Sequence, residues 1–320
     1  MSNQIAVVGG GVSGLTTAVR LQQAGYSVEI ITEETFETTT SAVAAAIWFP
    51  YEIQPIQLAN EWSLSTFHEL KQLSKLDNTG VSMVSLKLYI EKEEDAVWKE
   101  ALPAGSLSTI NPEELPDGIP LGYRATVPLC EPQTYLPYLR DLFYELGGTL
   151  SIQQVSDLNL LTVDFDAVIN CTGLGSQTLL NDHELYPIFG QIMKVDLQEG
   201  IESTAAEMPV SDDPEEIAYV IRRSDCLVLG GTVIKGRNSM EVDNGLIIGI
   251  LNRCKQLVPE LGPGNIHEVV AGVRPGRTSV RLSREGRIIH NYGHGGGGFT
   301  VSWGCASQVL SLVKEICPIK

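Results

Sequence analysis

Hydrophobic and polar residues follow two different periods along this chain, and the first change of period comes near the N-terminus. Residues 5–8 form an unbroken apolar run, typical of a strand buried on both faces, and a helical spacing of apolar residues follows as far as Leu21. A second strand is predicted at residues 26–31. The order strand, helix, strand predicts a parallel β-α-β unit.

The rest of the chain mixes the two periods. Helices are predicted at residues 134–146 and from about 301 to 317, and strands at 149–155 and 166–170. Alternation with a period of two, expected of antiparallel strands, occurs at residues 81–91, 189–195, 217–223 and 226–232. We therefore predict an α/β protein in which a Rossmann-type domain is interleaved with an α+β domain built on an antiparallel sheet.

The elements of the Rossmann-type domain are separated in sequence, so the second domain is predicted to be inserted in two pieces. The cofactor-binding domain is expected at residues 1–48, 129–183 and 277–320. The substrate-binding domain is expected at residues 49–128 and 184–276.

A glycine motif joins the first predicted strand to the first helix. Gly9, Gly11 and Gly14 have the G-x-G-x-x-G spacing, which allows a tight turn, close approach of a pyrophosphate and close packing of helix on sheet. Val12 and Ser13 begin the helix whose N-terminus would face the phosphates. Glu33 lies just after the second strand, where a carboxylate binds ribose hydroxyls and repels a 2'-phosphate. The motif predicts FAD or NAD rather than NADP.

Two further loops carry glycine where a dinucleotide would lie. Residues 171–175 follow a short apolar strand, and Gly295 to Gly298 precede the C-terminal helix. A helix terminus needs one glycine, not four, so we interpret this run as backbone laid along a flat ring, with the helix dipole stabilising negative charge there. His290 and His294 lack acidic or thiolate partners at ligand spacing, so no metal site is predicted.

Composition narrows the classes of partner. The formal charge of -17 disfavours nucleic acids and anionic membranes, which leaves a small molecule as the expected ligand. The six cysteines contain no C-x-x-C pair and are expected to be reduced. The N-terminus lacks the basic region of a signal peptide, and the last residues are not a peroxisomal tripeptide. We expect a cytoplasmic protein.

Four sequence blocks closely resemble the D-amino acid oxidase family. Residues 288–298 with 303–306 are similar to the family's C-terminal motif, and the other three blocks, 39–51, 170–173 and 190–195, occur in the same order as in the family. The resemblance covers most of the chain. It implies non-covalent FAD, oxidation of D-amino acids to imino acids and reduction of O2 to H2O2.

The resemblance also implies a substrate site. Arg274 matches the family's carboxylate-binding arginine, Tyr219 matches a tyrosine that binds the same carboxylate, and the carbonyl of Gly296 matches the acceptor for the substrate amine. Tyr51 is expected to border the pocket and Phe49 to line it. Glu215 stands where some eukaryotic members carry a lid tyrosine. It would either bias the pocket toward basic side chains or lie in a solvated acidic turn. Arg222 and Arg223 are neighbours on a strand, so at most one could face an acidic side chain.

The residues expected to bind FAD comprise the clamp, the two loops and parts of the matching blocks. They are Gly9, Gly11, Val12, Ser13, Gly14, Glu33, Thr39, Thr40, Ala45, Ala46, Ile47, Val155, Thr172, Gly173, Gly295, Gly298, Phe299 and Thr300.

The expected reaction is hydride transfer from Cα to flavin N5, which requires orientation rather than a general base. Neutral side chains are the expected substrates, and a homodimer is expected from the family alone. The alternatives are a glycine- or sarcosine-type flavin amine oxidase, a nicotinamide-dependent dehydrogenase, and a flavin-binding protein without turnover.

Overall fold

The computed structural model describes residues 3–50, 52–207, 210–211 and 213–318. Over those ranges the chain forms two sheets, called sheet A and sheet B below, with helices packed on both. The helices are α1 (Val12–Gln23), α2 (Ile56–Leu73), α3 (Pro132–Glu145), α4 (Leu158–Leu161), α5 (Gly175–Leu179), α6 (Ile247–Leu257) and α7 (Gly298–Ile316).

Sheet A is the Rossmann-type sheet. Its strands are β1 (Gln4–Val8), β2 (Ser27–Thr32), β6 (Thr149–Ile152), β7 (Ala167–Asn170), β14 (Arg281–Glu285) and β15 (Ile288–Tyr292), in the order β14-β15-β7-β1-β2-β6. All neighbouring pairs are parallel except β14 with β15. Because helices cover both faces of the central strands, Ile5, Ala6 and Val7 are all fully buried, which explains the unbroken apolar run.

Sheet B carries the long strands. They are β3 (Val81–Ile90), β4 (Leu107–Thr109), β5 (Leu121–Cys130), β8 (Leu185–Asp196), β9 (Ser203–Glu207), β10 (Glu216–Arg222), β11 (Cys226–Thr232), β12 (Ile234–Lys235) and β13 (Ile266–Arg277). The order is β12-β8-β11-β10-β9-β3-β5-β4, and β13 pairs with β8 along almost its whole length. The sheet is antiparallel except for the parallel pair β3 and β9, whose connection passes through sheet A.

The predicted fold class is confirmed, and the element bounds differ from the prediction by a few residues. The helix expected at 134–146 is α3, and β11 has the predicted bounds. Several elements have no counterpart in the prediction, among them α2, α6, β5 and β13. In β13 the segment Gly272 to Gly276 breaks the apolar alternation with two glycines, an arginine and a proline, so the period-two signal is lost there.

Helix packing joins the two sheets through a continuous core. Helices α1, α3 and α7 cover one face of sheet A, where Leu15, Phe143 and Val309 pack on Ile5 and Val28. The same cluster continues into sheet B through strands β3 and β5. None of the helices placed by the structure has the length and apolar character needed to cross a bilayer.

Helix α2 packs closely on α7. A Cβ at Gly304 would lie 2.2 Å from the carbonyl oxygen of Trp62, and the Gly304 amide donates to Thr66 Oγ1 at 2.9 Å. Glycine at this position therefore lets the two helix backbones touch.

Sheet A strands lie within 1–48, 129–183 and 277–320, and sheet B strands within 49–130 and 184–277. We retain the division into two interleaved domains as a proposal, with α2 packed across their border.

Candidate active site

A cavity of about 1060 Å³ lies between the two sheets. One end is formed by backbone at the carboxyl ends of β1 and β7 and at the N-termini of α1 and α7. The other end is formed by side chains on β3, β8, β10 and β13. We call these the backbone end and the side-chain end. Ligands commonly bind at such carboxyl edges in α/β sheets.

The glycine clamp forms the floor of the backbone end. Gly9 has φ +113°, and a Cβ there would lie 2.5 Å from the carbonyl oxygen of Cys171. A Cβ on Gly14 would lie 1.9 Å from the carbonyl oxygen of Gly9. Gly14 therefore packs beneath the turn and does not line the cavity, whereas Gly9, Gly11, Val12 and Ser13 do. The clamp has the expected strand-turn-helix geometry.

The loop before α7 faces open space. A Cβ on Gly295 would meet nothing within 4 Å, and one on Gly296 would meet only Arg274 Cδ at 3.8 Å. Protein packing does not demand glycine at these two positions, although Gly295 has φ +54°. Their missing side chains leave room in the cavity beside the N-terminus of α7.

The loop after β7 is held by one buried asparagine. Asn170 Oδ1 accepts from the backbone amide of Thr172 at 3.1 Å and from Thr172 Oγ1 at 2.9 Å. Its amide nitrogen donates to Ser176 Oγ at 3.0 Å. Thr172 and Gly173 line the cavity as a result.

Residues 39–49 cross the cavity between the two sheets. Ser41 Oγ accepts from the amide of Val12 at 3.0 Å, and Thr40 Oγ1 donates to the carbonyl of Val273 at 2.8 Å. Arg223, buried at the end of sheet B, donates to the carbonyls of Ala44 at 2.7 Å and Ala45 at 3.2 Å. The segment is thus fixed to the N-terminus of α1 on one side and to sheet B on the other.

These features fit FAD. The tight glycine turn and the two helix N-termini suit a pyrophosphate. The run of glycines beside open space suits a flat ring. Of the eighteen predicted cofactor residues, Gly14 and Thr300 do not line the cavity. Thr300 instead fixes Phe49, accepting from its amide at 3.1 Å and donating to its carbonyl at 2.9 Å. Glu33 lies exposed at the rim.

Arg274 lies at the side-chain end, across a glycine on the neighbouring strand. A Cβ on Gly190 would lie 2.1 Å from Arg274 Nη1, so the guanidinium occupies the space of a missing side chain. Arg274 Nη1 donates to the carbonyl of Thr232 at 2.9 Å. That bond holds one edge of the group and leaves other N–H donors for a ligand.

Tyr219 has the same relation to a second glycine. A Cβ on Gly230 would lie 2.1 Å from Tyr219 Cζ and 2.4 Å from its hydroxyl oxygen. Burial raises the pKa of Tyr219, and the positive charge of Arg274 partly opposes that rise. The phenol is therefore neutral at physiological pH and able to donate a hydrogen bond.

Of the three remaining residues predicted to form the pocket, Phe49, Glu215 and Tyr51, the structure describes the first two, and only Phe49 of these lines the cavity. Phe49 lines the cavity and packs on Trp98, with ring centroids 5.3 Å apart. Glu215 does not line the cavity, because its Oε1 accepts from the backbone amide of Lys235 at 3.1 Å in the turn before β10. This placement agrees with the acidic-turn alternative. Tyr51 lies outside the residues that the structure describes.

The walls of the side-chain end are largely aliphatic. Leu86, Leu88, Ile192 and Ile221 line the cavity. Arg222, the last residue of β10, and the adjacent Arg223 do not line it. Arg222 donates to the carbonyl of Gln198 at 2.6 Å, and Arg223 holds the crossing segment. Lys235, exposed at the mouth, adds a cation.

Two buried groups that could have suggested other chemistry have structural partners. His294 Nε2 lies 3.0 Å from Asn291 Oδ1, and burial lowers the pKa of His294 to about 4. Cys305 packs with Trp62 and Val301, and burial raises the pKa of its thiol. Over the described part of the chain, no group of three or more His, Cys, Asp and Glu side chains has an arrangement that could hold a metal ion.

Gly190 and Gly230 were missing from the sequence prediction as functional positions. Gly230 and Gly231 are adjacent within a strand, and glycine inside a strand commonly marks close approach by another group. That signal was available. The identity of the approaching residues was not, because it depends on the register between strands.

Comparison with known proteins gives consistent results. Residues 4–312 match the family model DAO, described as FAD dependent oxidoreductase. The chain is 38% identical to a D-amino-acid oxidase from Rubrobacter xylanophilus, with 96% of this chain and 94% of that protein covered. It is 34% identical to a D-aspartate oxidase from Homo sapiens, with 98% and 95% covered. The structure of a glycine oxidase from Geobacillus kaustophilus is similar in fold, with a TM-score of 0.79 at 18% identity and 98% and 95% covered.

Proposed function

The chain belongs to the FAD-dependent oxidoreductase family, and from that membership we propose that it is a D-amino acid oxidase. It is an enzyme with FAD as cofactor, which agrees with the prediction of FAD or NAD from Gly9, Gly11, Gly14 and Glu33 and with the family resemblance. The proposed reaction is oxidation of a D-amino acid to an imino acid, which water converts to a 2-oxo acid and ammonia, with O2 reduced to H2O2. Relatives with the name D-amino-acid oxidase, at 34–38% identity, support this substrate class.

The observation that carries the proposal is the pairing of Arg274 and Tyr219 at one end of a cavity whose other end fits FAD. Arg274 offers a planar set of donors matched to a carboxylate, and the neutral Tyr219 hydroxyl adds another donor. A ligand carboxylate bound there would have its α-substituents directed toward the glycine loop at Gly296, which lies beside Arg274.

The residues of this chain bind and orient the substrate. Arg274 and Tyr219 would hold the carboxylate, and the carbonyl of Gly296 would accept a hydrogen bond from the amine. Bound FAD supplies the acceptor for the hydride that leaves Cα. Fixing the α-carbon by two attachment points limits its motion, which is the contribution expected of the protein in such a reaction. The ammonium proton would leave to solvent or to the bound anion. His294 is a poor proton acceptor, because burial lowers its pKa to about 4.

We propose neutral D-amino acids as the substrates. The aliphatic walls at Leu86, Leu88, Ile192 and Ile221 support that preference, because an unpaired charge buried against them would lose its hydration. Lys235 at the mouth is the feature that favours acidic side chains instead. Oxidation of D-aspartate that disappears in Lys235→Met would change the assignment.

The direct test is anaerobic mixing of the purified protein with matched D- and L-amino acids while flavin absorbance is followed. The panel contains alanine, leucine, lysine and aspartate, with glycine and sarcosine as further substrates. We expect bleaching by D-alanine and D-leucine and none by their L-isomers. Bleaching by glycine or sarcosine alone would reassign the enzyme to that class of amine oxidase, and a flavin that no amine reduces would contradict the proposal.

Three finer assignments complete the proposal. O2 is taken as the electron acceptor and a homodimer as the assembly, both on the basis of family resemblance. A cytoplasmic location is supported by the six cysteines, which are buried and free rather than disulfide-bonded. Oxygen consumption, sedimentation and fractionation test these three assignments.

A further inference from the structure

Helix α6 packs on the face of sheet B that points away from the side-chain end of the cavity. Val220 of β10 belongs to a cluster that contains Ile250, Cys254 and Leu257 of the helix, and Ala218 contributes both to this cluster and to the cavity lining. Tyr219 and Ile221, the alternate residues of the same strand, line the cavity. The helix therefore contacts the strand that carries Tyr219 without contacting the space where a ligand would lie.

The pairing of β10 with β11 changes register just before Tyr219. Glu216 pairs with Thr232, but Tyr219 pairs with Gly230, so two residues of β10 lie opposite the single residue Gly231 of β11. This is a β-bulge, and a bulge takes backbone groups out of the regular ladder of hydrogen bonds. Buried carbonyls released in this way need other donors.

Arg253 of α6 supplies those donors. Its Nε donates to the carbonyl of Ile217 at 3.3 Å, and its Nη2 donates to the carbonyl of Gly231 at 3.1 Å. Its Nη1 lies 2.5 Å from Glu216 Oε1, so the charge is paired. Arg253 is only 5% exposed. One buried guanidinium thus joins both strands on either side of the bulge.

The next residue of the helix reaches the same two strands. Cys254 Sγ lies 3.4 Å from the carbonyl of Tyr219 and 3.4 Å from that of Gly230. These are the residue that bears the phenol and the glycine over which the phenol lies. Arg253 and Cys254 together fix the backbone at the position where the direction of the Tyr219 side chain is set.

We propose that Arg253 is a positioning residue that aims Tyr219 at the substrate carboxylate by holding the β10 bulge from the opposite face of the sheet. The proposal rests on the carboxylate-binding role given to Tyr219 under the proposed function. Arg253 touches neither substrate nor cofactor in this arrangement. Its effect on the reaction must pass through Tyr219. The effects of substitutions at Arg253 and Tyr219 should therefore be non-additive, which can be tested.

The experiment compares Arg253→Lys in the wild-type background and in the Tyr219→Phe background. Lysine keeps the charge and much of the volume but cannot reach three oxygens in two strands at once. Arg222→Lys is the matched control, since Arg222 is a β10 arginine that also bonds backbone carbonyls but lies off the cavity. The readouts are FAD content, the KM for D-alanine, the rate of flavin reduction at saturating D-alanine, and the Kd of propanoate from its perturbation of the flavin spectrum.

In the wild-type background we expect Arg253→Lys to raise the KM for D-alanine and the Kd of propanoate by about tenfold, the range for loss of one hydrogen bond to a charged group. FAD content should stay the same, and the saturating reduction rate should change by less than about threefold. In the Tyr219→Phe background the same substitution should change both constants by less than about twofold. Arg222→Lys should resemble the wild type.

Two results would overturn the proposal: an Arg253→Lys protein with wild-type constants, or an equal loss with and without the Tyr219 hydroxyl. If Arg253→Lys does not yield flavin-loaded protein, Glu216→Gln in both backgrounds decides the question, because it keeps the acceptor oxygen and weakens the ion pair. A wild-type enzyme that oxidises no D-amino acid would contradict the proposed function. The propanoate titration would still report on Arg253 and Tyr219.

Discussion

The two ends of the cavity are built by different means. At the backbone end, the surface comes from loops and helix N-termini, and glycine is required because a Cβ at Gly9 or Gly14 would overlap other backbone atoms. At the side-chain end, Gly190 and Gly230 are required because functional side chains, Arg274 and Tyr219, occupy the space above them. Both ends require glycine, but at the backbone end a Cβ would overlap backbone atoms, and at the side-chain end it would overlap functional side chains.

The difference indicates what each end tolerates. The backbone end is assembled from three loops, each with a motif of residues close together in sequence, so each motif can be read directly. A single methyl group on a clamp glycine disrupts the packing of that end. The side-chain end depends on pairs of residues on neighbouring strands. Its chemistry can therefore be lost by a change at either member of a pair, including a glycine that bears no functional group.

Removing the guanidinium is expected to have the largest effect and to be confined to the side-chain end. Arg274→Ala should weaken binding of D-alanine by about 2–5 kcal/mol, because the substrate carboxylate loses its charged donor. FAD should remain bound. The KM for D-alanine checks the first statement, and flavin absorbance per mole of protein checks the second. Unchanged substrate affinity would remove Arg274 from the site.

A methyl group at the backbone end should have the reverse pattern. Gly14→Ala places a Cβ 1.9 Å from the Gly9 carbonyl oxygen, so the turn must shift, at a cost of about 1–3 kcal/mol in the free energy of unfolding. We expect flavin to be lost on purification, measured by absorbance per mole of protein. Gly262→Ala is the control, because a Cβ there meets only the side-chain oxygen of Gln198, at 3.4 Å. Full flavin retention in Gly14→Ala would contradict the fit of the clamp.

Gly190→Ala tests whether Gly190, which bears no functional group, controls the position of the Arg274 guanidinium. The new methyl would lie 2.1 Å from Arg274 Nη1 and should displace the guanidinium. We expect kcat/KM for D-alanine to fall by an amount equivalent to a loss of about 1–2 kcal/mol in transition-state stabilisation. Flavin content should be unchanged. Loss of flavin together with activity would mean that the two ends are not independent. A wild-type kcat/KM would show that Arg274 adapts.

The smallest expected effect concerns pH and the backbone end. Burial lowers the pKa of His294 to about 4, below the unfolded value near 6.5. The unfolded state therefore takes up a proton first as pH falls, and stability is lost from about pH 6.5 down to about pH 4. Between pH 6.5 and 5.5 this site should reduce the free energy of unfolding by about 1 kcal/mol. Urea unfolding of the wild type and of His294→Gln measures the difference, and equal slopes against pH would contradict the assignment.

Much of the backbone end could be predicted from the sequence. The clamp residues Gly9 and Gly11, the loop at Thr172 and Gly173, and Gly295, Gly296 and Gly298 of the C-terminal run line the cavity, whereas Gly14 lies beneath it. Local spacing was sufficient there because each motif closes on itself within a few residues. The exception has the same origin, since spacing identifies a turn but not which of its glycines faces outward.

The side-chain end was less accessible to sequence reasoning. Arg274 and Tyr219 were identified through family resemblance, whereas their glycine partners and Arg253 were not identified. Arg222 and Arg223 could not be assigned a face. The structure turns Arg222 to the carbonyl of Gln198 and Arg223 to the segment at Ala44 and Ala45.

The sequence by itself therefore determined the fold class, a dinucleotide cofactor and the parts of the site that lie within single loops, because these follow from the period of apolar residues and the spacing of glycines. The choice of FAD came from the family resemblance. Only the tertiary structure decided which glycines make room for Arg274 and Tyr219, where Arg222 and Arg223 point, and which helix supports Tyr219. The physical reason is that these contacts join strands distant in sequence. Their register depends on the pairing of β8 with β13 and on the bulge between β10 and β11.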